Sequence, residues 1–158
     1  MLVLLIAACA HLDEPVGLKA ARRLSSSAWL ERITEPGHEV ATLASLSMPA
    51  RMPASGGKPW DFHGAPFMTT DGMSVYETYA QRDALGQAYR AYAKLQGGPC
   101  IDARALAREV GAVPQGSAHP PAASQDLEYR RDSGSTLLYL YARREDRCLN
   151  QVSARRKD

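Results

Sequence analysis

Apolar positions in this chain follow two kinds of spacing. From Val16 to Ile33, Leu18, Ala21, Leu24, Ala28 and Leu30 recur at roughly helical intervals, which predicts an amphipathic helix. Asp13-Glu14-Pro15 places acidic residues and an early proline at its start. Ser25-Ser26-Ser27 interrupts the pattern and Glu35-Pro36-Gly37 ends it. The piece from Glu39 to Ser47 fits helix and strand equally well.

A stronger helical pattern begins at Ser74, where Ser74-Val75-Tyr76-Glu77 has the spacing of a capping box. At about 100° per residue, Ala84, Leu85, Ala88, Tyr89, Ala91, Tyr92 and Leu95 share one face. The predicted helix covers 74–96 and stops at Gly97-Gly98-Pro99. A shorter helix is expected over 101–110, burying Ile101, Leu106 and Val110 ahead of Gly111. After a proline-rich linker at 114–125, alternation takes over. Leu127 to Arg131, Ser135 to Arg143 and Arg147 to Ala154, separated by Asp132-Ser133-Gly134 and Arg144-Glu145-Asp146, read as strands.

These elements predict an α+β domain: two or three helices followed by a C-terminal three-stranded antiparallel meander. The expected divisions are a signal at 1–9, an N-terminal helix with a Pro/Gly-rich irregular segment at 10–72, an α+β core at 73–154 and a basic tail at 155–158. Within the second division, Met48 to Gly72 holds most of the irregular sequence. Its first part reads as a flexible connection, while Trp60, Phe62, Phe67 and Met68 could pin the remainder to the core.

Composition changes this picture little. The 158 residues are 45% apolar and 23% charged, ordinary values for one globular domain. A net charge of +2 argues for no nucleic-acid partner. Arg155-Arg156-Lys157 reads as a solvated tail.

The beginning of the chain adds an address. Met1-Leu-Val-Leu-Leu-Ile-Ala-Ala-Cys9 is an apolar run ending in two small residues and a cysteine. Ile6-Ala7-Ala8-Cys9 resembles the lipobox of a bacterial lipoprotein signal. That resemblance implies cleavage before Cys9, a lipid on its thiol, and a membrane anchor on the periplasmic side of the envelope, at the outer membrane. No Lys or Arg follows Met1 to make the basic n-region of a secretory signal. Two other readings stay open: ordinary cleavage after Ala8-Cys9-Ala10, and a cytoplasmic protein with a buried first strand. The run is shorter than the roughly 20 apolar residues a membrane span needs.

With Cys9 assigned to lipid, Cys100 and Cys148 remain as a pair. A disulfide between them suits an oxidising compartment; two buried free thiols are the alternative. If free, Cys100 at a helix start could act as a nucleophile with His63 or His119. Asp61-x-His63 could supply two groups to one ion, but two ligands do not make a metal site, and His11, His38 and His119 are scattered. No catalytic motif, metal set or cofactor-binding loop is found.

What remains is aromatic. Trp60, Phe62, Tyr76 and Tyr79 cluster around the irregular segment and the start of the expected long helix, and are the candidate partner-binding residues. The functional expectation is a non-catalytic envelope lipoprotein that binds another envelope or secreted protein, as an immunity, inhibitor or secretion-assembly lipoprotein does. A small periplasmic hydrolase using Asp61, His63 and Cys100 is one alternative, and a structural tether is another.

Overall fold

Short helices occupy the first part of the chain and strands most of the rest. The computed structural model describes residues 14–49, 60–116 and 127–157. Helices α1 (Val16–Ala21), α2 (Ser26–Ile33) and α3 (Glu39–Ala44) come first. Strands β1 (Trp60–Gly64), β2 (Phe67–Met68), β3 (Ser74–Arg82) and β4 (Ala88–Leu95) follow. Then come α4 (Ala103–Val110), β5 (Val113–Pro114), β6 (Leu127–Asp132), β7 (Thr136–Ala142) and β8 (Leu149–Arg156). The strands form one eight-stranded sheet in the order β1-β3-β4-β8-β7-β6-β5, with β2 also pairing β3. Every pairing is antiparallel.

The expected fold class is therefore corrected. The molecule is a large antiparallel sheet with a few short helices, not helices followed by a three-stranded meander. β6, β7 and β8 account for one half of the sheet, and the other half is built by the stretch read as irregular segment plus long helix.

The predicted helix over 74–96 is the hairpin β3–β4. Buried Val75, Thr78, Ala80 and Arg82 alternate with more exposed neighbours along β3, and Ala91, Ala93 and Leu95 do so along β4. Glu77 caps nothing: its carboxylate reaches across the ladder to Tyr92 Oη and Lys94 Nζ. Leu85, placed on the expected core face, is 85% exposed at the hairpin tip. There Asp83 Oδ1 accepts from the N–H groups of Leu85 and Gln87, both at 2.9 Å, and Gly86 takes φ +83°. A three-residue loop closed by a left-handed glycine matches the twist of the flanking strands.

The other helical expectations need smaller changes. Ser25, read as an interruption, caps α2 through its Oγ, which accepts from the Ala28 N–H at 3.3 Å. The ambiguous stretch after Gly37 forms α3. Helix α4 starts under Asp102, whose side chain accepts from the Ala105 N–H, and ends at left-handed Gly111. Arg155 and Arg156, read as tail, are the last two residues of β8.

All four helices contribute to one apolar layer on one face of the sheet. Leu18, Trp29, Ile33, Leu43 and Leu106 meet Val75, Ala80, Leu138, Leu140 and Val152 there. Helix α3 lies over β4 and β8. The strand positions facing it are small, with Ala80, Ala91, Ala93 and Ala154 all fully buried, so the helix can approach closely. One buried ion pair crosses this layer: Glu39 at the start of α3 binds Arg131 of β6. Cys100 and Cys148 have disulfide geometry, with Cα atoms 5.1 Å apart. They join the entry to α4 to the entry of β8, where Leu149 N–H also donates to the Ile101 carbonyl at 2.8 Å.

Candidate functional site

Because side chains alternate along a strand, the sheet has a second face, and among the described residues no helix packs on it. Strand register fixes its membership. One straight row runs His63 (β1), Tyr79 (β3), Tyr92 (β4), Ser153 (β8), Tyr139 (β7), Arg130 (β6) and Val113 (β5). The row beside it runs Asp61, Gln81, Arg90, Arg155, Leu137 and Asp132. On the other side Lys94, Gln151, Tyr141 and Glu128 line up.

The aromatic row is well ordered by contact. The His63 and Tyr79 rings meet edge-on at 5.3 Å, and Tyr79 stacks on Tyr92 at 5.0 Å with planes 20° apart. On β7, Tyr139 and Tyr141 are 6.2 Å apart and nearly parallel. Between the two tyrosine groups stands Ser153, directly opposite both Tyr92 and Tyr139. Its short side chain is buried between the flanking residues. Arg90 and Arg155 face each other in the next row, and the Arg155 guanidinium lies 5.9 Å from the Tyr139 ring centre.

Hydrogen bonds set the charge state of the face. Tyr79 Oη donates to Asp61 at 2.8 Å, and partial burial together with that carboxylate pushes the phenol up to about 12. Tyr92, partly buried and donating to Glu77, is likewise pushed up to about 12. Bonds from Lys94 and then Tyr92 hold Glu77 below its ordinary value, while Glu77 raises Lys94. Burial, with Glu128 nearby, raises Tyr141. Tyr79 and Tyr92 thus stand as neutral hydrogen-bond donors to Asp61 and Glu77. Among the described residues the face offers tyrosine rings and hydroxyls, an imidazole, guanidinium groups, a lysine and several carboxylates.

The sequence candidates separate on this sheet. Tyr79 lies on the open face, with Asp61 and His63 beside it. Trp60 and Phe62 point to the opposite, helix-side face of β1, opposite Arg82 and Ala80, with the Arg82 guanidinium 4.7 Å from the Trp60 ring centre. Tyr76 is 43% exposed at the irregularity in the β3–β4 register between Val75 and Glu77. Cys100 lies within disulfide distance of Cys148, with Cα atoms 5.1 Å apart, and away from His63 on the sheet's open face. His38 immediately precedes α3. Cys9, His11 and His119 lie outside the described residues, as does the signal at 1–9.

Tyr92, Tyr139, Tyr141, Arg90, Arg130 and Arg155 were not among the sequence candidates. The signal was present in Ala88–Leu95, where Arg90, Tyr92 and Lys94 alternate with Ala91, Ala93 and Leu95. Reading that stretch at period two instead of 3.6 finds them.

The helix side carries an open groove of about 1220 Å³ between α2 and α4, with Leu24, Ala28, Ile101, Leu106 and Val110 on its walls and Glu31, Glu35 and Glu109 around it. Among the described residues no three His, Cys, Asp or Glu side chains are placed to hold a metal ion, and no helix is long and apolar enough to cross a membrane.

No protein-family model matches the chain, and no curated protein matches it. Among solved structures, the chain is similar to a DUF4309 family protein (YjgB) from Bacillus subtilis, at 8% identity and a TM-score of 0.47, over 83% of this chain and 97% of that one.

Proposed function

We propose that this chain is a non-catalytic protein-binding module of the bacterial envelope, and that it engages its partner through the open face of the sheet. The observation that carries this reading is the row His63–Tyr79–Tyr92–Ser153–Tyr139–Arg130, which crosses the sheet in register. Tyrosine and arginine dominate interface hot spots because they combine large rigid area with polar groups. The export half of the reading rests on the lipobox-like Ile6-Ala7-Ala8-Cys9 and on a cysteine pair suited to an oxidising compartment.

Two experiments test it. Tagged protein is recovered from membranes of its own organism, and a Tyr92→Ala/Tyr139→Ala variant is compared with Leu85→Ala, which alters only the exposed hairpin tip. The module reading expects a stoichiometric partner lost in the first variant and kept in the second. Equal recovery with both variants, or no partner at all, counts against it. Intact mass of the same preparation tests the address. A chain beginning at lipidated Cys9, with two thiols released only by reduction, is expected, whereas an unprocessed chain removes the envelope assignment.

A further inference from the structure

From the charges on the open face we infer the chemistry of the partner: an acidic protein segment whose carboxylates are received by Arg90 and Arg155. This rests on the proposed use of that face.

The two arginines are directly opposite each other in the β4–β8 register, and both side chains are exposed. Like charges facing across adjacent strands destabilise a sheet. Among the described residues neither side chain makes a hydrogen bond or ion pair within the protein, and the Tyr139 ring beside Arg155 offsets the repulsion only in part. Arg130, two strands from Arg155 and in the next row, is also exposed, opposite Tyr139 and Val113.

Three of the four acidic groups on this face are already engaged, and the fourth, Glu128, stands two residues from Arg130 on β6. Asp61 accepts from Tyr79, Glu77 from Tyr92 and Lys94, and Asp132 is paired with Lys157. Arg90 and Arg155 are thus left facing solvent beside buried Ser153. Guanidinium groups bind carboxylates in two-pronged fashion, and the flanking rings of Tyr92 and Tyr139 supply flat area for the residues between.

The same acidic groups decide between kinds of anion. Asp61, Glu77, Glu128 and Asp132 share the face with the arginines, and the whole chain carries only +2. A continuous phosphodiester chain or an anionic lipid surface would meet these carboxylates as well as the cations. A protein segment can place a few carboxylates where the arginines stand and neutral residues elsewhere.

The test uses the folded protein and short poly-L-glutamate, followed by amide chemical shifts. The largest shifts should fall on Arg90, Tyr92, Ser153 and Arg155. Arg90→Gln/Arg155→Gln should weaken binding by at least about tenfold, the loss expected of one or two charge-assisted hydrogen bonds. Its melting temperature should be equal or higher, since the repulsive pair is gone. Shifts scattered over other basic residues, unchanged affinity in the variant, or equal binding of single-stranded DNA or phosphatidylglycerol vesicles at the same residues would overturn the inference. Partner recovery separates it from the function on which it rests. If Tyr92→Ala/Tyr139→Ala loses the partner and Arg90→Gln/Arg155→Gln keeps it, the face is right and the acidic chemistry is wrong. If both variants keep it, both readings fall.

Discussion

Replacing Glu39 by glutamine should remove a large part of the stability of this domain. The carboxylate is completely buried and accepts from Arg131 Nη2 at 2.6 Å, Ser133 Oγ at 2.9 Å and Thr136 Oγ1 at 2.9 Å. Arg131 in turn donates to the carbonyls of Thr34 at 2.6 Å and Val110 at 3.1 Å, so this one ion pair connects α2, α3, α4, β6 and β7. Glu39→Gln keeps the shape but leaves the guanidinium facing only dipoles. Removing one member of a buried pair costs about 3–5 kcal/mol, against a total of about 5–15 kcal/mol for a typical domain.

Equilibrium urea unfolding followed by tryptophan fluorescence reads the loss, since Trp29 lies in the core. With a slope of about 2 kcal/mol per molar, the midpoint should fall by about 2 M. Glu39→Gln/Arg131→Met should recover part of the loss, because neither charge is then buried alone. A single-variant loss below about 1 kcal/mol, or a double variant equal to the sum of the two singles, would refute the reasoning. Acid provides a second check. Burial by itself raises the Glu39 pKa, but bonds from its own N–H, Arg131, Ser133 and Thr136 outweigh that and hold it below 4.5. Its contribution is therefore complete above the unfolded value and disappears as pH falls through the lower folded one. Wild type should lose stability across that acidic window more steeply than Glu39→Gln.

Three further outcomes are expected. Reduction of Cys100–Cys148, which closes a separation of 48 residues, should cost about 4 kcal/mol on the loop-entropy relation; an unchanged melting temperature after complete reduction would show that the bond constrains little. Gly98→Ala should destabilise by more than about 1 kcal/mol, because Gly98 has φ +80° and an added Cβ would sit 2.5 Å from the Gly72 carbonyl oxygen; Gly116→Ala, with open space, is the control, and equal melting of the two would contradict the close approach. Tyr79 and Tyr92, pushed up to about 12, should stay protonated at about pH 11 where free phenols have ionised. A Tyr79→Phe/Tyr92→Phe variant should then match wild type in tyrosinate absorbance up to that pH, and a reduced amplitude would mean the two phenols titrate normally.

The C-terminal strands were legible because their apolar residues alternate and their turns carry Asp, Ser and Gly. The β3–β4 hairpin was not, for a physical reason that its residues make plain. Most strand positions facing α3 are alanines, which favour helix intrinsically, so Ala88 and Ala91, with Ala84 of the turn, satisfied a helical template. The contrary evidence was local: Asp83 and Gly86 bracket a tight turn, and a glycine inside a helix is unfavourable by about 1 kcal/mol. Of the candidate site, only Tyr79 was found together with neighbours it actually touches. Trp60 and Phe62 are close to it in sequence, yet pleating sends them to the other face of the sheet. Arg155 and Tyr139 could not be linked to Tyr79 by any local pattern, since the row that joins them depends on β4 pairing with β8 across more than fifty residues.

The two faces of the central strands differ in what their residues are for. On the helix side, small and branched apolar side chains fill the space between sheet and helices, and changing any of them alters packing. On the open side the requirement is looser, although Leu137 and Ser153 are buried there. An antiparallel sheet needs only polar residues where it meets water, and Lys, Glu, Thr or Ser would serve. The chain places two arginines opposite each other there, which sheet stability disfavours, beside tyrosine pairs that stabilise it. An arginine pair that neither packs the interior nor meets a carboxylate within the protein supports the proposed use of this face. The proposal uses β3, β4, β8 and β7, and it makes the Arg90→Gln/Arg155→Gln variant informative in both directions. A gain in stability coupled to a loss of binding is the result expected of a site maintained at the expense of the fold.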